Sequence, residues 1–139
     1  MATTDDDPPL NPKPVRFVGS SRRDIQQLPN EVKQVFGQAL FAAQIGSKHS
    51  DAKPLRGFGG AGVLEIVEDD RGSAYRAVYT VKFPEIVYVL HVFQKKSKSG
   101  IKTPTEELVK LKVRLKAAER DYAKYIEQQK NVQNDRYEH

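Results

Sequence analysis

Hydrophobic positions change period along this chain, and the changes mark its elements. "VRFVG" (residues 15–19) alternates and predicts a first strand. After it, Ser20 or Ser21 can cap a short helical segment, with Asp24 in its first turn and Ile25 and Leu28 as a small apolar edge. Pro29 interrupts. "NEVKQVFGQALFAAQIG" then predicts a longer helix with Asn30 as N-cap. Val32, Val35, Phe36, Ala39, Leu40, Ala43 and Ile45 form a wide stripe, and Gly46 stands where such a helix ends. Together these two segments read as a helical hairpin.

Residues 47–62, "SKHSDAKPLRGFGGAG", read as loop. Three strands are expected next: "VLEIVED" (63–69), "SAYRAVYTVKF" (73–83) and "IVYVLHVFQ" (86–94), joined by turns at Asp70-Arg71-Gly72 and Pro84-Glu85. In the second of these, Tyr75, Ala77, Tyr79 and Val81 share one face, and Arg76, Val78, Thr80 and Lys82 the other. The third is apolar on both faces, as a central strand is. Thr103, Pro104 and Glu106 then announce a helix, with a cap, a first-turn proline and a capping-box acid. Leu108, Leu111, Leu115, Ala118, Tyr122 and Tyr125 give it a narrow apolar stripe suited to docking on the sheet. The order β-α-α-β-β-β-α predicts an α+β fold, with an N-terminal helical hairpin and a C-terminal helix packed on an antiparallel β-sheet. Residues 1–14 are Pro- and Asp-rich and read as a disordered extension. Residues 15–126 form the domain, and the polar residues 127–139 are expected to fray.

Composition narrows the function classes. A chain of 139 residues suits one domain with one real core. No apolar run is long enough for a membrane span, and the acidic N-terminus lacks the apolar core of a secretory signal. The chain has no cysteine, which excludes disulfides and thiolate metal sites and suits a cytoplasmic protein. The formal charge is +5; residues 1–14 carry −2, from Asp5, Asp6 and Asp7 against Lys13, so the remainder carries +7. That balance favours an anionic partner.

Three groups of residues could carry chemistry. Gly57, Gly59, Gly60 and Gly62 resemble a phosphate cradle, but a strand follows where a cradle needs a helix N-terminus and a lysine, so a loop of special backbone angles is the better reading. His49, His91 and His139 lack metal-ligand spacing, and His91, among apolar strand residues, reads as a hydrogen-bonded core imidazole. The basic residues remain. Lys53 and Arg56 precede the sheet, Arg76 stands mid-strand between Tyr75 and Tyr79, and Lys95, Lys96, Lys98 and Lys102 leave the last strand. Converging, they would make a cationic patch for a phosphodiester backbone. Alternatively, Arg76 pairs with Glu65 or Glu68 on the neighbouring strand.

"HVFQKKSKSGIKTPTEELVKLKVRLKAAERDY", with "DAKPLRGFGGAGVLEIVED" and "YRAVYTVKF" before it, resembles the HigB-like, phage-associated branch of the RelE/ParE toxin superfamily. The resemblance covers roughly residues 15–126 and implies a RelE-like fold. It also implies the toxin of a type II toxin–antitoxin pair, a ribosome-dependent mRNA endoribonuclease held in check by a helix-turn-helix antitoxin. Its partners would be the ribosome and mRNA, with no metal and no other cofactor. By position, Arg76 would stabilise transition-state charge, and Lys95 and Lys96 would complete the catalytic set. Lys98 and Lys102 would contact RNA, and Lys53 and Arg56 would contact RNA or, as in RelE, supply the base. The family's C-terminal catalytic Tyr or His has no match, since Tyr122 and Tyr125 belong to the helical stripe. A non-enzymatic ParE-like gyrase poison and an inactive phage-derived relative that only binds a partner or nucleic acid are the alternatives on the same fold.

Overall fold

The computed structural model describes residues 11–60, 62–95 and 105–137. Its elements are β1 (Val15–Phe17), α1 (Ser21–Gln26), α2 (Asn30–Gln44), β2 (Lys53–Pro54), β3 (Val63–Asp70), β4 (Ser73–Thr80), β5 (Val87–Lys95) and α3 (Thr105–Tyr137). The α+β class and the element order agree with the sequence pattern, apart from the additional short strand β2. The sheet has five strands in the order β1-β5-β4-β3-β2.

It is mixed rather than antiparallel, because β1 lies parallel to β5, with Val15 opposite Val87 and Phe17 opposite Val89. The meander β2 to β5 reverses direction at each step, and β1 reaches the free edge of β5 before that meander begins. The two-residue β2 lies in the stretch expected to be loop; both its residues are exposed, so no alternation announces it.

Local chemistry explains the main boundaries. β3 and β4 are joined by Arg71-Gly72 alone, with φ of 52° and 84°. Two positive φ values match the twist of a tight hairpin. α2 closes through two backbone bonds past its end, Gly46 N–H to the Ala43 carbonyl and Ser47 N–H to the Ala42 carbonyl. Gly62, at φ +62°, brings the backbone so close to Lys82 that a Cβ would lie 3.0 Å from the Lys82 nitrogen. The glycine stretch therefore shapes the entry to β3, and no helix follows it.

Each face of the sheet holds its own core. On one, Val32, Phe36, Ala39 and Leu40 of α2 pack against Leu64, Ile66, Ala77, Tyr79, Val87 and Val89. On the other, Leu111 and Ala118 of α3, with Leu108, Leu115, Tyr122 and Tyr125 half-buried beside them, pack against Val63, Val78, Ile86, Tyr88 and Leu90. Each fully buried large side chain contributes about 1.5–3 kcal/mol.

The docking stripe ends near Tyr125, yet α3 runs on to Tyr137. The segment expected to fray is helical, and residues 127–135 are exposed. Thirty-three residues make a helix about 50 Å long, which outreaches a sheet of eight- and nine-residue strands. No described helix is long and apolar enough to cross a membrane.

Candidate functional site

A register irregularity in β5 organises the α3-covered face. Val78 faces His91 while Tyr79 faces Val89, so Leu90 is an extra residue between them. A bulge of this kind turns two consecutive side chains to one side. Leu90 joins the α3-side core, and His91 also reaches α3.

There His91 is held at both nitrogens. Nε2 lies 3.0 Å from Glu107 Oε1, and Nδ1 lies 3.1 Å from Arg114 Nη1. A guanidinium only donates, so Nδ1 must accept, and the proton of the neutral ring sits on Nε2 and points at Glu107. Burial pushes the His91 pKa down. The Glu107 carboxylate opposes that shift, while Arg114 and Lys110 add to it. Arg114 also donates to the Leu90 carbonyl (2.9 Å) and to Ser20 Oγ (3.3 Å), and Ser20 donates to Asp24 (2.8 Å). One polar chain thus ties α1, β5 and α3 together. Further along α3, Asp121 accepts from both Arg16 (2.7 Å) and the Tyr88 hydroxyl (2.6 Å). These bonds hold the Asp121 pKa down against partial burial; burial first, and then the bond to Asp121, push the Tyr88 pKa up, against the opposing pull of Arg16.

Beside these contacts lies the pair that bears most on chemistry. The hairpin register sets Val67 opposite Arg76, which places Glu65 diagonally across from Arg76 on the same face and Glu68 on the other. Arg76 Nη1 donates to Glu65 Oε2 at 2.7 Å. Arg76 is only 4% exposed. It is therefore not an open cation at a rim. It is the buried half of an ion pair, because a guanidinium taken out of water requires a compensating charge. Lys53 stands opposite Glu65 on β2 and is exposed, as is Arg56 in the following turn. Lys53, Glu65, Val78 and His91 form one cross-strand row, with Val67, Arg76 and Phe93 in the next.

The basic residues expected to converge are thus placed in part. Arg76 and Lys53 flank Glu65 on neighbouring strands, and Lys95 closes β5 opposite Ala74. Lys96, Lys98 and Lys102 lie outside the described residues. Tyr122 and Tyr125 pack in the helical stripe as expected, Tyr122 against Phe83 with ring centroids 4.8 Å apart. The reading from sequence treated Glu65 only as a possible tether for Arg76. Its ion pair with a buried guanidinium adds it to the candidate residues beside Arg76. Counting back from the two-residue turn would have located it. Among the described residues, no cluster of acids and histidines is arranged to hold a metal ion.

An α+β sheet with a helical hairpin on one face and, on the other, a long helix beside a carboxylate–guanidinium pair defines the class. The chain belongs to the family of phage derived proteins, Gp49-like (DUF891), whose model matches residues 23–116. The phage-associated character drawn from the sequence resemblance agrees with that family. Among solved structures, the chain is similar to the toxin–antitoxin complex RelBE2 from Mycobacterium tuberculosis, with 27% identity, 66% of this chain and 100% of that chain covered, and a TM-score of 0.41. It is similar also to a variant of the Escherichia coli toxin RelE in the free state, with 23% identity, 58% of this chain and 81% of that chain covered, and a TM-score of 0.44. No curated protein matches the chain.

Proposed function

We propose that this protein is the toxin of a type II toxin–antitoxin pair, in the HigB-like branch, and a ribosome-dependent endoribonuclease that cuts mRNA. The observation that carries the reading is the Glu65–Arg76 pair, a carboxylate and a buried guanidinium 2.7 Å apart on the sheet face that also bears Lys53.

Cleavage by a ribose 2′-hydroxyl forms an O2′–phosphorus bond and breaks the phosphorus–O5′ bond. It needs an acceptor for the hydroxyl proton, positive charge for the phosphorane oxygens and a proton for the departing O5′. Glu65 is the acceptor. Arg76 turns part of its N–H fork from the carboxylate to the phosphate oxygens, which frees Glu65 as the negative charge builds elsewhere. Lys95, the last residue of β5, stands two positions beyond Phe93, which faces Arg76; Lys95 or the following Lys96 supplies the last proton. Lys53 and Arg56, with Lys98 and Lys102, hold flanking phosphates. A helix-turn-helix antitoxin is the protein partner.

The burial of Arg76 favours a second reading, in which the pair is a structural tie in an inactive relative. Inducing the chain in a bacterial host separates the two. The toxin reading expects growth arrest, relief by Glu65→Gln with the fold intact, and rescue by a co-expressed helix-turn-helix neighbour. Unimpaired growth on induction of soluble, folded protein would leave the second reading standing.

A further inference from the structure

The outer face of α3 carries charge that the sheet-face chemistry does not use. Lys112, Lys116, Arg120 and Lys124 follow one another at every fourth position, and all four are exposed. Each step rises about 6 Å along the axis, so they span about 18 Å in one row that winds slowly round the helix. The two acids within this stretch are bonded to other partners. Glu119 is bonded to Lys82 at 2.7 Å, and Asp121 to Arg16 and Tyr88. Among the described residues, none of the four cations forms an ion pair. The helix therefore commits these two acids chiefly to the sheet side and turns a basic ridge outward, of which Lys124 alone is felt by Asp121.

We infer that this ridge is a second binding surface, separate from the Glu65–Arg76 site, for the sugar–phosphate backbone of a double-stranded nucleic acid. The even spacing of the cations, about 6 Å per step along a row that winds slowly round the helix, is comparable with the separation of neighbouring phosphates along a strand, which itself winds. The aromatic side chains of this part of the helix, Tyr122 and Tyr125, pack toward the sheet, so the ridge offers no platform on which unpaired bases could stack. What it offers is backbone recognition alone, which suits a duplex.

The test is binding without cleavage. The full chain is titrated with a 20-base-pair RNA duplex, a DNA duplex of the same sequence, and poly-glutamate, at 50 and 200 mM salt. Four phosphate contacts at about 0.9 each predict an affinity loss of about 100-fold between the two salt concentrations. Replacing Lys112, Lys116, Arg120 and Lys124 by Gln should abolish most of that salt dependence. The same loss of charge through Arg22, Arg23, Lys48 and Arg71→Gln should keep it. Tighter binding of one duplex identifies the natural partner as RNA or DNA. Equal effects of the two variant sets, or binding of poly-glutamate with neither duplex bound, would overturn the inference. A chain that grips duplex but never cuts RNA would overturn the nuclease reading and leave this one in place.

Discussion

Replacing Arg114 by Met keeps an unbranched chain of similar reach and removes five N–H donors. Two acceptors inside the fold then lose their partner, the Leu90 carbonyl and His91 Nδ1, while Ser20 at 3.3 Å was a weaker contact. At about 1.5–3 kcal/mol per hydrogen bond from a charged group, discounted because Arg114 is only partly buried, the expected loss is about 3 kcal/mol. Urea denaturation at pH 7.5 reads it as a lower midpoint at unchanged slope.

The same substitution predicts a change in titration. His91 has its pKa depressed in the fold, so the unfolded chain binds the extra proton first as pH falls. Its contribution is fully present above the unfolded value, near 6.5, and is lost as pH drops from there toward the folded value. One proton sets a slope of up to about 1.4 kcal/mol per pH unit in that window. Without Arg114, both the cation and the demand that Nδ1 accept are gone. The ring's pKa should rise, helped by Glu107 and opposed by Lys110 and by burial, and the slope should flatten. NMR titration of His91 alongside denaturation at pH 5.0 to 7.5 measures both. An unchanged His91 pKa in Arg114→Met, at a stability close to the parent's, would refute the reasoning.

Two further substitutions probe other parts of the account. The Tyr79 hydroxyl is buried and has no hydrogen-bond partner among the described residues, and burial pushes its pKa up to about 12; Tyr79→Phe should therefore raise stability by about 1 kcal/mol, read as a higher melting temperature. Ending the chain after Ile126 removes the exposed end of α3, so the melting temperature should hold within a degree or two while helical circular dichroism falls.

The fold was legible where local signals agreed. The hairpin of β3 and β4 has alternation and a positive-φ turn, and α2 has a stripe and a glycine after its end. The parallel partner of β1 was not legible, because pairing across seventy residues leaves no local trace. Nor was β2, two exposed residues long. The last three turns of α3 were missed because Glu127, Gln128, Gln129 and Lys130 hold a helix by propensity without an apolar stripe to show it. In the site, alternation alone put Arg76 on the face of Val78, and Glu65 was within reach by counting from Arg71-Gly72; the place of Lys53 opposite Glu65 was not, because it depends on β2. The burial of Arg76 depends on packing above the sheet, which spacing does not encode. The grip of Glu107 and Arg114 on His91 depends on a one-residue bulge in β5 and on where α3 docks.

The central claim is that Glu65 and Arg76 together cut RNA. Primer extension on total mRNA after induction tests it most directly, comparing the parent chain with Glu65→Gln, which preserves the shape of the side chain and its contact with Arg76 while removing the proton acceptor. The account predicts new 5′ ends within translated messages for the parent and none for the variant. Intact transcripts with the parent, or the same cuts with Glu65→Gln, would contradict it.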